Sequence, residues 1–268
     1  GASERLLAKA LEDDLRDARD DVVIATKGGL RPVDGGVERD SSPDFLREGV
    51  AQSLEALGVD HIDLYQVHWP DPDTPLAETG AALAELRDEG KIRHVGVSNY
   101  SAEQMAELSK TLPVETLQPP YHLFNREIED GVLPWCLDHD VGVLVYGPLA
   151  HGLLTGTIDA DSEFADDDWR SGSPLFNGTN LTQNLDVVRQ LSKVADELGC
   201  TLSQLAIAWT LVHPAVHVAI VGSRSSEHIE EAVDAVDIEL ADADLQRIVT
   251  IMQAAVGAEG PSPEANSE

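Results

Sequence analysis

Short apolar runs and amphipathic stretches alternate along this chain. "DVVIATK" (21–27) is almost continuously aliphatic and too short for a helix, which predicts a strand covered on both faces. The next stretch, "SPDFLREGVAQSLEAL", repeats apolar residues at helical spacing and predicts a helix near 43–57. The pattern recurs with "HIDLYQVHW" (61–69) before "PLAETGAALAELRDEG" (75–90), and with "HVGVSNY" (94–100) before "SAEQMAELSK" (101–110). Ser101, with Gln104 three residues on, reads as a capping box. "VETLQ" (114–118) precedes a helix near 127–139, and "VGVLVYGPL" (141–149) precedes a polar loop running to about 182. Helices follow at 184–199 and 203–213. "HVAIVGS" (217–223) opens onto a helix at 226–233, and a last amphipathic helix covers about 241–255. The expected organisation is one domain over 1–255 and a polar, disordered tail over 256–268.

Apolar strands alternating with helices argue for a parallel sheet with helices on both sides, either a closed (β/α)8 TIM barrel or an open doubly wound sheet. No GxGxxG joins a strand to a helix, which weakens the dinucleotide-binding form of the open sheet, and no P-loop motif is found. The strands end in Lys27, His68, Ser98–Asn99, Gln118, Tyr146 and Gly222–Ser223–Arg224. A core strand has no need of a polar tip. In a parallel barrel all C-terminal strand ends face one mouth, where chemistry sits.

Six stretches carry a family resemblance: "VVIATKGG", "DLYQVHWPDP", "GKIRHVGVSNY", "LQPPYHLFNR", "VYGPLAHGLLTG" and "AIVGSRSSEHIEEAV". In this order they resemble the successive strand-end motifs of the aldo-keto reductases, over about residues 3–236. The long loop after "GLLTG" resembles the branch that holds bacterial stress-associated reductases and potassium-channel β subunits. The resemblance implies a (β/α)8 barrel that passes a hydride between NADP(H) and a small aldehyde, ketone or sugar. It places Lys27 and His68 among the catalytic residues, with Ser98, Asn99 and Gln118 on the nicotinamide carboxamide and Tyr146 stacked on its ring. By the same resemblance the backbone of Gly147, Leu149 and Gly152 lies along the pyrophosphate. Gly222, Ser223 and Arg224 meet the 2′-phosphate, and His228 and Glu231 lie near the ribose and adenine. Trp69, next to His68, is expected to wall the substrate site. Two departures stand out. Ala232 occupies a place where the family usually has Asn, and the chain begins inside the family motif D-T-A-x-x-Y-G, after its tyrosine. The expectation is a chain covering about strands 3 to 8, with an N-terminal piece absent, because an unclosed barrel leaves unpaired edges.

The chemistry fits those residue types. Hydride addition to a carbonyl builds negative charge on oxygen and calls for a proton donor, which in this family is a tyrosine. An ammonium beside a phenol lowers its pKa, the task given to Lys27, while His68 hydrogen-bonds and orients the substrate oxygen. Arg224 offers a planar fork suited to phosphate, just before a helix, and favours NADP(H) over NAD(H).

Composition narrows the partners. The formal net charge of -31 repels nucleic acid and anionic membranes, and it also suits a halophilic protein, because salt screens self-repulsion. No apolar run reaches the ~20 residues of a membrane span, and no signal-peptide pattern is seen. Cys136 and Cys200 are isolated and read as reduced thiols, pointing to the cytoplasm. No HExxH suggests a metal. The rival expectation is a cofactor-binding auxiliary subunit of the same fold with little turnover.

Overall fold

The structure is a computed structural model that describes residues 1–257, so the tail expected over 256–268 falls, past Gly257, outside the described residues. The described residues form two compact units, one built from Gly1–Gln118 and Asp138–Gly142, the other from Pro119–Leu137 and residues 143–257.

The first unit holds α1 (Ala2–Ala10), α2 (Glu12–Asp17), β1 (Ala25–Gly28), β2 (Leu30–Val33), β3 (Gly36–Arg39), α3 (Pro43–Leu57), β4 (Ile62–Val67), α4 (Leu76–Asp88), β5 (Ile92–Ser98), α5 (Ala102–Leu108) and β6 (Thr116–Gln118). Strands β1, β4, β5 and β6 are neighbours in that order, all parallel, with Lys27 opposite Gln66, Gln66 opposite Gly96, and Ser98 opposite Gln118. Every residue of β4 is buried, as a strand covered on both faces requires. Helix α3 starts with Pro43 in its first turn and buries Leu46, Val50 and Leu57. At α5 the expected capping box is present, Ser101 Oγ accepting from the Gln104 amide and Gln104 Oε1 accepting from the Ser101 amide. Asp63 fixes the start of β4. Its carboxylate accepts the Ile24 amide at 2.8 Å, Arg19 at 2.7 Å and Arg93 at 2.9 Å. The sequence reading has no counterpart for the antiparallel hairpin β2–β3, which turns on Asp34-Gly35 and is a two-residue turn signal between short strands.

The second unit holds α6 (Val132–Asp138), β7 (Gly142–Tyr146), α7 (Gly178–Leu198), α8 (Leu202–Leu211), β8 (Val216–Ile220), α9 (Ser226–Val233) and α10 (Asp242–Met252). Strands β7 and β8 pair in parallel. The segment read as a loop to 182 is more ordered than expected. It contains 3-10 turns at Ala150–Thr155, Trp169–Gly172 and Pro174–Phe176, and α7 begins at Gly178. The polar "NGTNLTQN" concealed the helix start because Asn184, fully buried, is satisfied by backbone: its Nδ2 donates to Leu175 O and its Oδ1 accepts the Val256 amide. Leu181, Leu185 and Val188 then form the buried stripe.

Candidate active site

The parallel register of the first unit brings four strand tips to one end. Lys27 Nζ donates to Gln118 Oε1 at 2.7 Å, and Gln118 Nε2 donates to Gln66 Oε1 at 3.1 Å. Gly96 makes this possible. A Cβ there would stand 2.1 Å from Thr116 Oγ1 and 2.9 Å from Gln66 Cγ, so only glycine leaves room for the Gln66 side chain. The His68 amide donates to Gly28 O at 2.9 Å, tying the tip of β4 to the tip of β1. Ser98 is fully buried and its Oγ donates to Gln118 O at 2.7 Å. Asn99 sits in the left-handed region at φ 62, from which its Nδ2 donates to His68 O and to Ser98 Oγ, both at 3.1 Å. The five polar residues expected at these tips are therefore one hydrogen-bonded group.

Lys27 and His68 also line one cavity of about 1110 Å³, with Glu4 of α1, Phe45 and Gln52 of α3, and Tyr65. Burial pushes the Tyr65 phenol well above its usual range, and the charge of Glu4 adds to that. Trp69 is half-buried, and the Arg39 guanidinium lies over its ring, 4.7 Å from the centroid.

In the second unit Tyr146 closes β7, its amide donating to Pro119 O and its carbonyl accepting from the Tyr121 amide. The chain then turns through four left-handed residues, Gly147 (φ 70), Ala150 (φ 47), His151 (φ 57) and Gly152 (φ 103), with the Ala150 amide donating to Gly147 O. Leu149 lies inside this turn, its carbonyl accepting the Gly152 and Leu154 amides. Beyond β8, Gly222 leads to Ser223, whose Oγ donates to Ser225 O and accepts the Ser225 amide. Ser225 caps α9 by accepting the His228 amide. Arg224 is exposed and makes no ion pair among the described residues, Glu227 and Glu230 nearby in sequence included. Glu231 instead accepts the Thr201 hydroxyl at 2.6 Å and joins α9 to the start of α8. His228 is exposed on α9.

The thiols offer no nucleophile: burial pushes Cys136 up to about 12 and also raises Cys200, with Asp196 adding to the latter. His213 and His217 stand four residues apart, yet each Nδ1 accepts a backbone amide, from Ala215 and Val143 respectively. Among the described residues no helix is long and apolar enough to cross a membrane.

Two participants escaped the sequence reading. Gln66 is buried inside β4 and links Lys27's partner to the sheet, and a lone amide in an otherwise apolar run was its signal. Arg39 comes to Trp69 through the unexpected hairpin, and nothing in its local sequence announces that.

Parallel strands with helical crossovers and polar C-terminal tips define an α/β protein whose chemistry sits at the strand ends. The model of the Aldo/keto reductase family matches residues 1–253, and the chain belongs to that family. It is 39% identical over 254 residues to the Aldo-keto reductase YhdN of Bacillus subtilis (strain 168), covering 94% of this chain and 76% of that one. It is 35% identical over 257 residues to the NADH-specific methylglyoxal reductase of Escherichia coli (strain K12), covering 91% and 77%. The solved glycerol dehydrogenase AKR11B4 from Gluconobacter oxydans superposes with a TM-score of 0.89 at 35% identity, over 97% of this chain and 80% of that one. Family membership and this likeness indicate a (β/α)8 barrel and an oxidoreductase; the family uses nicotinamide cofactors and acts on small carbonyl substrates.

Proposed function

We propose that the chain is an NADP(H)-dependent oxidoreductase that reduces small aldehydes, ketones or sugars to alcohols by direct hydride transfer. In this reading β1 and β4–β8 correspond to strands 3 to 8 of the family barrel. The observation that carries the proposal is the linked set Lys27–Gln118–Gln66 and Ser98–Asn99–His68 at the C-terminal ends of parallel strands, with Lys27 and His68 on one cavity. The nicotinamide supplies the hydride when bound. The Lys27 ammonium favours negative charge on an oxygen that faces it, and so acidifies a phenol placed there as proton donor. The His68 imidazole hydrogen-bonds the carbonyl oxygen and fixes its direction. Ser98, Asn99 and Gln118 already share hydrogen bonds, so the Ser98 hydroxyl and the two side-chain amides are held in place before any carboxamide arrives.

The residues fit such a cofactor. Tyr146 presents a ring for stacking. The left-handed turns at Gly147 and at Ala150–Gly152, with Leu149 between them, support a pyrophosphate along this backbone. Gly222, Ser223 and Arg224 precede the N-terminus of α9, and an arginine with no carboxylate in a chain of net charge -31 supports a 2′-phosphate there. His228 lies on the same helix. Glu231 carries less of the reading, because its carboxylate is engaged by Thr201. Trp69 walls the substrate side. The acidic composition supports adaptation to high salt.

The test has two readouts: quenching of tryptophan fluorescence by NADPH, and loss of reduced-nicotinamide absorbance with small aldehydes. Binding with turnover is the expected result. Binding without turnover on any carbonyl favours the auxiliary-subunit role, and absence of binding refutes the proposal.

A further inference from the structure

We propose that Gln66 is a positioning residue for the candidate active site: it holds the Gln118 amide in the orientation that presents Oε1 to Lys27. The inference rests on the oxidoreductase reading for the reaction it serves, but not for the hydrogen-bond chain it describes.

Parallel register lines up Lys27, Gln66, Gly96 and Thr116 across β1, β4, β5 and β6, with Gln118 further along β6 on the face of Thr116. Gln66 is 1% exposed, in a strand whose every residue is buried. The direction of its hydrogen bonds is dictated from the Lys27 end. An ammonium only donates, so Gln118 turns Oε1 toward it, at 2.7 Å. Gln118 Nε2, a donor only, is then left on the other side and needs an acceptor. Gln66 Oε1 is that acceptor, at 3.1 Å. Ser98 Oγ, on Gln118 O at 2.7 Å, holds the main chain of the same residue. Without Gln66 the Gln118 amide keeps a buried donor unmet in this orientation, and reversing the amide sets its NH2 against the ammonium.

The second observation is that the arrangement lowers stability in two places. Gln66 Nε2 is buried and has no partner among the described residues, and a buried donor without an acceptor is destabilising. Gly96 is required beside it, because a Cβ there would stand 2.9 Å from Gln66 Cγ, and a glycine inside a strand weakens the strand. A methionine at position 66 is close in length and volume and brings no polar hydrogen to satisfy. If packing were the whole task of this side chain, methionine would do it with a gain in stability. What methionine lacks is the strong acceptor, so the acceptor is what the site uses.

The experiment combines steady-state turnover of a small aldehyde with NADPH and NMR measurement of solvent exchange at the Gln118 side-chain NH2, both on the whole protein. Gln66→Met removes the acceptor; Gln66→Glu keeps it and drops the unpaired donor. Gln66→Met should lower kcat about 10- to 100-fold with the aldehyde KM within about 3-fold of wild type, while its melting temperature is equal or higher. Gln66→Glu should recover most of the lost kcat. A packing role predicts the reverse order, methionine tolerated and a buried carboxylate harmful. In a Gln118→Met background, Gln66→Met should lower kcat no further, because Gln66 acts through Gln118. Exchange at the Gln118 NH2 should quicken about 10-fold in Gln66→Met and stay near wild type in Gln66→Glu. Wild-type kcat in Gln66→Met overturns the proposal, as does greater damage from glutamate than from methionine, or a full further loss in the Gln118→Met background. If Gln66→Met fails to fold, Gln66→Leu takes its place. Should wild type turn over no carbonyl, the oxidoreductase reading falls and the exchange rates alone decide: quickened exchange in Gln66→Met upholds the positioning, and unchanged exchange overturns it.

Discussion

Replacing Asp63 by Asn tests how the start of β4 is held, and through β4 the seating of Gln66 and His68. Asp63 is 5% exposed. Burial alone would raise its carboxyl, but the Ile24 amide, Arg19 and the nearby His61 outweigh that and hold it below the usual carboxylate range. Asparagine keeps one acceptor oxygen and turns an NH2 toward a guanidinium that cannot accept, so at least one charge-assisted bond is lost and replaced by donor against donor. The Arg19 pair, with side chains 17% and 7% exposed, counts in full. The Arg93 pair is discounted because its guanidinium is 45% exposed. The expected cost is about 2–4 kcal/mol, since removing one partner leaves a half-buried guanidinium unpaired. For a chain of this size that lowers Tm by roughly 5–15 °C. The pH dependence follows from the direction of the shift. A carboxyl depressed in the folded state contributes fully above its unfolded pKa of about 3.9, and loses the contribution as pH falls through the lower folded value. Thermal melts followed by circular dichroism should give a constant gap between wild type and Asp63→Asn from neutral pH down to about 5, narrowing below about 4. A gap under about 2 °C at neutral pH, or one that widens on acidification, refutes the reasoning.

Gly96→Ala should lower stability by about 1–3 kcal/mol and disturb the Gln66–Gln118 bond, because the added Cβ meets Thr116 and Gln66 well inside contact distance; denaturant unfolding checks the first and catalytic rate the second. Ser101→Ala removes the side-chain half of the α5 capping box and should cost about 1 kcal/mol, read as a shift in urea midpoint with unchanged slope. Arg224→Ala should weaken NADPH by about 10- to 100-fold and NADH by much less, measured by fluorescence titration; equal losses remove Arg224 from the 2′-phosphate role.

What the sequence disclosed follows the physics of each element. β4 was legible because six consecutive buried residues leave no polar face, and α5 because its capping box is a local signal. Lys27, His68, Ser98, Asn99 and Gln118 were legible as polar tips on apolar strands, and parallel pairing does the rest. The β2–β3 hairpin was hidden because its strands are four residues long and largely exposed, so no alternation builds up. The start of α7 was hidden because burial of Asn184 depends on backbone atoms outside the helix, Leu175 just before it and Val256 far along the chain, which leave no mark in the helix pattern. Arg39 came to Trp69 by the same kind of long-range route, as did Glu231 to Thr201, and side-chain partners across elements leave no mark in periodicity.

The central claim is that the Lys27 ammonium, held on Gln118, promotes proton delivery to a carbonyl oxygen during hydride transfer. Turnover of a small aldehyde with saturating NADPH by Lys27→Met, which keeps the aliphatic stem and removes the charge, measures it most directly. The account predicts a loss of about 10²- to 10⁴-fold in kcat with NADPH affinity nearly unchanged. Wild-type turnover in that variant, or a loss confined to cofactor binding, contradicts it.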